Sequence, residues 1–266
     1  MAEPKAPAWW DASWNPIGGC MAVSPGCKNC YAAQLSAKHW QRPLYEQTID
    51  YVRRKPVFNG ELTVLPAAHR SWRWPLQWSG AKKPILGPGQ PSLIFVGDMS
   101  CLFHEQRPVA VIDQVVSAIA GSKHIGLLLT KRPHVMVQYF LAPDSDRRLS
   151  WRTRFWLGFT AERQQEFDAR WLLMRALPKR EWIVFVSVAP MLGPVTLPPD
   201  FLTYRKRVWI ICGGEQGANA RFTDPNWARA LRDQCAAAGV PFFMLQMGRG
   251  QHIPEDLYIR EFPDAK

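Results

Sequence analysis

Three cysteines stand within eleven residues near the N-terminus, Cys20, Cys27 and Cys30, in the spacing C-x6-C-x2-C. Two thiols two residues apart can chelate one centre from a tight turn, and Pro25-Gly26 supplies a bend that returns the first cysteine to the pair. The number three matters. A closed structural zinc site wants four ligands, whereas a cubane iron–sulfur cluster on three cysteines leaves one iron open to a substrate or cofactor. A zinc site would need completion by His39, Cys101 or a remote residue. Cys235 falls on an apolar helix face and reads as core. Cys101 and Cys212 follow strand ends and could approach the site, with a small buried hydrophobe as the simpler assignment for each.

The elements that position this loop follow a repeating pattern from about residue 92. Strands are expected at Ser92–Val96, Ile125–Leu129, Phe155–Phe159, Trp182–Val186, Val208–Ile211 and Phe242–Leu245, with a first one near Trp14–Ile17. Amphipathic helices alternate with them. One follows Pro108 with Ile112, Val115, Val116 and Ile119 on one face, and one opens near Pro133 with Met136, Tyr139 and Phe140. A third carries Phe167, Trp171, Met174 and Leu177. The last has Asp224 as N-cap, Pro225 at its first position and Gly239 as its stop. Near-continuous apolar strands are those of a parallel sheet covered by helices. The fold class is α/β, a partial (β/α) barrel with mostly parallel strands in one domain over 1–266. A doubly wound sheet is the competitor that periodicity does not separate from it.

Between the first and second strands the pattern lapses, giving an irregular insertion over about 38–90. Residues 38–83 hold nine Lys/Arg against three Asp/Glu, a net of +6, interleaved with Trp40, Tyr45, Tyr51, Phe58, Trp72, Trp74 and Trp78. The whole chain carries +11. Such a balance points to a polyanionic partner, of which nucleic acid is the commonest. No run of 18 apolar residues and no apolar stretch at the start is present, so neither a membrane span nor a secretory signal is expected. Clustered cysteines in a chain of this size bind metal or do chemistry in a reducing compartment, which predicts a cytoplasmic location.

Several segments taken together carry a resemblance. Trp14-Asn15-Pro16-Ile17-Gly18-Gly19-Cys20 and Val23-Ser24-Pro25-Gly26-Cys27-Lys28-Asn29-Cys30-Tyr31-Ala32 resemble the three-cysteine-motif phage protein family, related to radical S-adenosylmethionine enzymes. The likeness continues at Phe95–His104, Leu129–Pro133, Trp156–Gly158, Leu192–Val195, Gly213–Glu215 and Asp233–Phe243. It implies a partial barrel, a [4Fe–4S] cluster on Cys20, Cys27 and Cys30, and S-adenosyl-L-methionine on the open iron, cleaved to a radical that abstracts hydrogen. It also implies a flavodoxin-like or ferredoxin-like electron donor and, for a phage-encoded chain, the host cytoplasm. The first gap is six where the superfamily's commonest is three, and Ala189 stands where the family usually has Glu. Gly97-Asp98 and Cys101 stand where its relatives tend to carry Asn, Ser and Asp, a change of substrate if those positions line the pocket.

Barrel enzymes carry their chemistry at the C-terminal ends of strands. The candidates for cofactor binding there are Gly97, Asp98, Ser100, Lys131, Arg132, Thr160, Ser187, Gly213 and Gly214. Lys131 or Arg132 would meet a cofactor carboxylate, Gly97-Asp98 and Ser187 its polar groups, and Gly213-Gly214 an adenine or substrate. Glu215, Glu162 and His104 are the catalytic candidates. The alternative roles are capping or solvating a helix start for Lys131-Arg132, stabilising a helix N-terminus for the two glutamates, and a structural place for the histidine. The expected function is a radical enzyme modifying a nucleic acid or nucleotide, with isomerisation of an amino-acid-modified thymidine in phage DNA as the implied case. A non-catalytic nucleic-acid-binding module with a structural zinc site is the alternative, and a radical enzyme acting on a small molecule is a third reading.

Overall fold

The computed structural model describes residues 9–39, 41–142, 150–217, 219–248 and 250–264. The N-terminal tip read above for a leader, and Trp40 of the insertion, lie outside them. The chain divides into two compact units, Trp10–Phe155 and a second built mainly from Trp156–Lys266.

In the first unit, β1 (Ala12–Trp14) stops before Pro16, and a separate short strand, β2 (Ile17–Gly18), follows. The single strand expected near Trp14–Ile17 is therefore two, because Pro16 has no N–H to give to a ladder. α1 (Tyr31–Lys38) comes next, then β3 (Ile49–Val52), β4 (Lys55–Phe58), β5 (Thr63–Val64) and the one-turn α2 (Trp74–Gln77). The unit ends with β6 (Leu93–Val96), α3 (Val109–Ala120), β7 (Ile125–Thr130) and α4 (Pro133–Phe140). β1 pairs in parallel with β6, and β6 with β7. Every residue of β6 is buried, and α3 buries Ile112, Val115, Val116 and Ile119, the stripe its spacing predicts.

The insertion is more ordered than its sequence suggests. β3 and β4 form an antiparallel hairpin in which Val52 faces Lys55, and β5 pairs antiparallel with β2. The hairpin's loop is Arg53-Arg54, with φ of 48° and 64°. Two consecutive left-handed residues make the tight turn whose twist suits a hairpin, a turn usually signalled by Asn-Gly. Arginine gives no such signal. Of the insertion's described tryptophans, Trp72 is buried with its indole on Pro66 O (3.0 Å), and Trp74 stacks on Trp78 at 4.9 Å, while Trp14 of β1 reaches in to donate to Ser71 O (3.0 Å).

In the second unit, β8 (Phe155–Thr160), α5 (Gln164–Met174), β9 (Ile183–Val188), the one-turn α6 (Pro199–Leu202), β10 (Val208–Gly213), α7 (Pro225–Ala238) and β11 (Phe242–Gln246) alternate. β8 pairs in parallel with β9, β9 with β10, and β10 with β11. Leu177, expected on the helix of Phe167, lies beyond its end. The Asp224 carboxylate accepts from the Asn226 N–H (2.8 Å), and Gly239 closes α7 at φ 69°. Cys212 and Cys235 are buried as expected.

The seven parallel strands follow sequence order, β1-β6-β7 in the first unit and β8-β9-β10-β11 in the second. A doubly wound sheet reverses its order at a switch point; this series does not, and its class is the partial (β/α) barrel expected. No helix among the described residues is long and apolar enough to cross a membrane.

Candidate functional site: a thiol cluster at the end of β7

The segment leading to Cys20 is threaded through a gap that only glycine fits. A Cβ on Gly18 would stand 2.1 Å from Leu44 O, and one on Gly19, at φ +86°, 1.9 Å from Glu61 O. Beyond β2 the chain runs beside the end of β6: Gly19 bridges Ser100 in parallel, and the Cys101 N–H donates to Gly19 O (3.1 Å). This register brings the next residues, Cys20 and Cys101, side by side. The Gly60 N–H then donates to Cys20 O (3.2 Å) and fixes the loop from its other flank.

Cys27 ends the 3-10 turn Pro25–Cys27, and Cys30 is the N-cap of α1, where the helix dipole favours a thiolate. The opposing wall is the strand end Thr130-Lys131-Arg132. Thr130 Oγ1 lies 3.9 Å from Cys101 Sγ, and Lys131 Nζ donates to Ser24 Oγ (3.3 Å) and Cys27 Sγ (3.5 Å). Arg132 Nη1 donates to Cys101 Sγ (3.6 Å) and Cys20 Sγ (3.9 Å), and its Nη2 to Met21 O (3.2 Å). Its Nε is held by the Glu105 carboxylate.

The electrostatics follow from these contacts. Burial alone would push the Cys27 thiol up, but the Lys131 ammonium, the Val23 and Ser24 N–H groups and the Ser24 hydroxyl bring it below its ordinary value. Burial wins at Cys30, which is raised against the N–H groups of Ala33 and Ala32. Of the adjacent pair, Cys101 ionises first, because Cys20 donates to it and Arg132 and Thr130 support the thiolate; Cys20 is raised by that same bond and by burial. Cys101 thus meets both readings given to it: it is buried, and its sulfur approaches the site.

Behind the sulfurs, Arg107 is 5% exposed and donates to Thr63 O (2.9 Å), Gly18 O (3.0 Å) and Cys101 O (3.4 Å). It ties the strand entering Cys20 to the segment carrying Cys101. Gly97 turns the chain at φ +70°, and the Asp98 carboxylate accepts from Ser13 Oγ (3.1 Å) and from Asn15 Nδ2. Asn15 Oδ1 in turn accepts from the Met99 N–H (3.3 Å), so the Gly97–Ser100 turn is held by the Asn15 that precedes Pro16. The Tyr31 hydroxyl donates to Asp98 O (2.8 Å). Leu44, Tyr45 and Met99 form a small core beneath.

Each of the other candidates has contacts of its own. His104 is buried, and burial and Arg132 lower its pKa, so it is neutral at pH 7. Its Nδ1 accepts from the Gln106 N–H (3.2 Å), and its Nε2 has no partner among the described residues. The remaining six belong to the second unit. Glu162 is fully buried on Arg170 (2.8 Å), which also donates to Thr160 O. Glu215 is gripped by the Arg221 guanidinium and N–H. Both glutamates are ion-pair members rather than open carboxylates. Ser187 lies inside β9, not past its end, and its carbonyl accepts from Ala161 N (2.9 Å). Gly213 O accepts from Met191 N (2.8 Å), and Gly214 leaves no room for a Cβ, 2.2 Å from Gly248 N.

Among the described residues no group of three or more His, Cys, Asp or Glu is gathered closely enough to hold a single metal ion. Three of the thiols share one loop, Cys30 feels the charge of Cys27 and Cys20, and the cations of Lys131 and Arg132 lie on Cys27 and Cys20, a donor set in which a polynuclear centre would be held by several sulfurs rather than one shared point.

Fold and site together define an α/β strand-end protein with a thiol-rich loop. The chain belongs to the family described as protein of unknown function (DUF5131), whose model matches residues 6–258. No curated protein and no solved structure matches it.

Proposed function

We propose that this chain is a radical S-adenosylmethionine enzyme acting on a nucleic acid or nucleotide. The observation that carries the reading is the Lys131-Arg132 pair at the end of β7, whose cations lie on the sulfurs of Cys27 and Cys20. A cluster on three thiolates is anionic, and hydrogen bonds and positive charge at its sulfurs raise its potential toward what a biological donor can reduce. Cys20, Cys27 and Cys30 would hold the [4Fe–4S] centre, which supplies reductive cleavage of adenosylmethionine when a flavodoxin-like or ferredoxin-like donor provides the electron. The chain's own residues do the rest. Lys131 and Arg132 offset the negative charge of the sulfurs, Glu105 fixes the plane of Arg132, and the Asn15–Asp98 contact holds the Gly97–Ser100 turn beside the loop.

The net charge of +11 supports a phosphate-bearing substrate. The resemblance to three-cysteine-motif phage proteins supports a DNA base, and an amino-acid-modified thymidine undergoing isomerisation is the finest form of the proposal. One observation favours a second reading: Cys101 beside Cys20 offers a fourth thiol, which would suit a structural zinc in a nucleic-acid-binding module.

Anaerobic reconstitution separates them. The enzyme reading expects about four irons with sulfide, as in a [4Fe–4S] centre, and 5′-deoxyadenosine from adenosylmethionine under dithionite. It expects loss of iron in C20A, C27A and C30A and retention in C101A. One zinc per colourless chain, lost equally in C101A, would establish the module instead.

A further inference from the structure

The β3–β4 hairpin packs its inner face on α1, the helix that Cys30 caps, and leaves its tip exposed with no part in the thiol chemistry. We propose that it is an arm that grips duplex DNA, an inference that rests on the nucleic-acid reading above and names the surface responsible. Four observations carry it. The tip and its flanks, Tyr51 to Lys55, are all exposed, and Tyr51 and Val52 keep 65% and 57% of their surface in water. Three consecutive cations, Arg53, Arg54 and Lys55, form the turn and open β4. The hairpin's one carboxylate, Asp50, is engaged by Asn59 Nδ2 (3.3 Å) on the flank away from the tip. The loop holds two arginines at φ of 48° and 64°, where a side chain other than Gly, Asn or Asp is strained. A turn optimised for stability would carry Asn-Gly; two arginines there place charge at the cost of local strain.

The geometry selects the partner. A two-stranded ribbon fits the major groove of B-form DNA, whereas the deep, narrow groove of an A-form RNA helix excludes side chains. Arginine at the tip suits phosphate oxygens, and Tyr51, among the few large aromatic side chains left exposed, offers a stacking face to a displaced base. The arm also starts at the site: Asn59 N–H donates to Thr48 O (3.2 Å) at its base, and the adjoining Gly60 N–H holds Cys20 O (3.2 Å). A duplex gripped by the ribbon therefore lies next to the loop of the three cysteines.

The test uses the full chain and fluorescence anisotropy with a labelled 20-base-pair DNA between 50 and 200 mM salt. The variant R53N/R54G removes two charges while installing the favoured turn, so its thermal stability should equal or exceed the wild type's. K179N/R180N removes two exposed charges from a turn of the second unit and controls for net charge. Two lost phosphate contacts should lower the slope of log K against log salt by about 2, so that the wild type's advantage over R53N/R54G shrinks roughly tenfold from 50 to 200 mM. The control should keep nearly the full slope. Equal weakening by both variants, or wild-type binding by R53N/R54G, overturns the arm. So does binding to duplex RNA or polyglutamate as tight as to DNA. Iron content and adenosylmethionine cleavage measured on the same preparations report on the enzyme reading independently, since neither variant touches the thiol loop.

Discussion

Arg107 gives the sharpest test of how the site is held together. Its guanidinium makes two good hydrogen bonds to backbone carbonyls, Thr63 O at 2.9 Å and Gly18 O at 3.0 Å, and a longer one to Cys101 O at 3.4 Å. Bonds from a charged donor contribute about 1.5–3 kcal/mol each, so the two good ones amount to roughly 3–6 kcal/mol. Against this stands the cost of burying the cation, visible in the lowered Arg107 pKa, which burial causes. In R107M the apolar stem is kept and that cost disappears, but the carbonyls lose their donor. The net loss should be about 2–3 kcal/mol. At roughly 2–4 °C per kcal/mol for a chain of this size, the first unit's melting transition falls by about 5–10 °C. Differential scanning calorimetry measures this, with iron content after reconstitution as the second readout. Loading should fall, because Gly18 leads directly into Cys20. R107K reaches one carbonyl and should recover no more than half of the loss. A transition within about 1 °C of wild type, with full iron, would refute the idea that this cation joins the two thiol-bearing segments.

Two further outcomes follow from the second unit. R170M leaves the fully buried Glu162 carboxylate without its 2.8 Å ion pair and should cost about 3 kcal/mol in urea unfolding, while E162Q/R170M recovers much of it; a cost below about 0.5 kcal/mol would contradict a structural role for Glu162. Asp256, paired with Arg229 (2.9 Å) and Arg232 (3.2 Å), has its pKa drawn from 3.8 to about 2, first by the hydrogen bond from Arg229. Because the folded value is the lower, the pair stabilises fully above about pH 4 and loses its effect as pH falls toward 2. D256N should therefore lower the urea midpoint at pH 6 by clearly more than at pH 2, and an equal loss at both would contradict the assignment.

How much of this could be read along the chain depends on range. The strands of the alternating series were legible because a strand buried on both faces needs an unbroken apolar run, as in Leu93–Val96 and Val208–Gly213. The last helix was legible to its caps, since Asp224, Pro225 and Gly239 act on their own backbone. The β3–β4 hairpin was not, because Arg53-Arg54 occupies a turn whose usual residues are Asn and Gly.

The sequence by itself determined the α/β series, the three-thiol loop and the excess of positive charge, all of which arise from residues acting on near neighbours or from plain composition. Only the tertiary structure decided that Cys101 joins Cys20, that Arg107 ties their segments, that Lys131 and Arg132 turn to sulfur, and that Glu162 and Glu215 are already committed to arginines. The physical reason is the parallel register of Gly19 with Ser100 and the convergence of strand ends. In the thiol cluster these bring together residues dozens of positions apart, whose contact no local propensity encodes, whereas Glu162 and Glu215 meet arginines eight and six positions on.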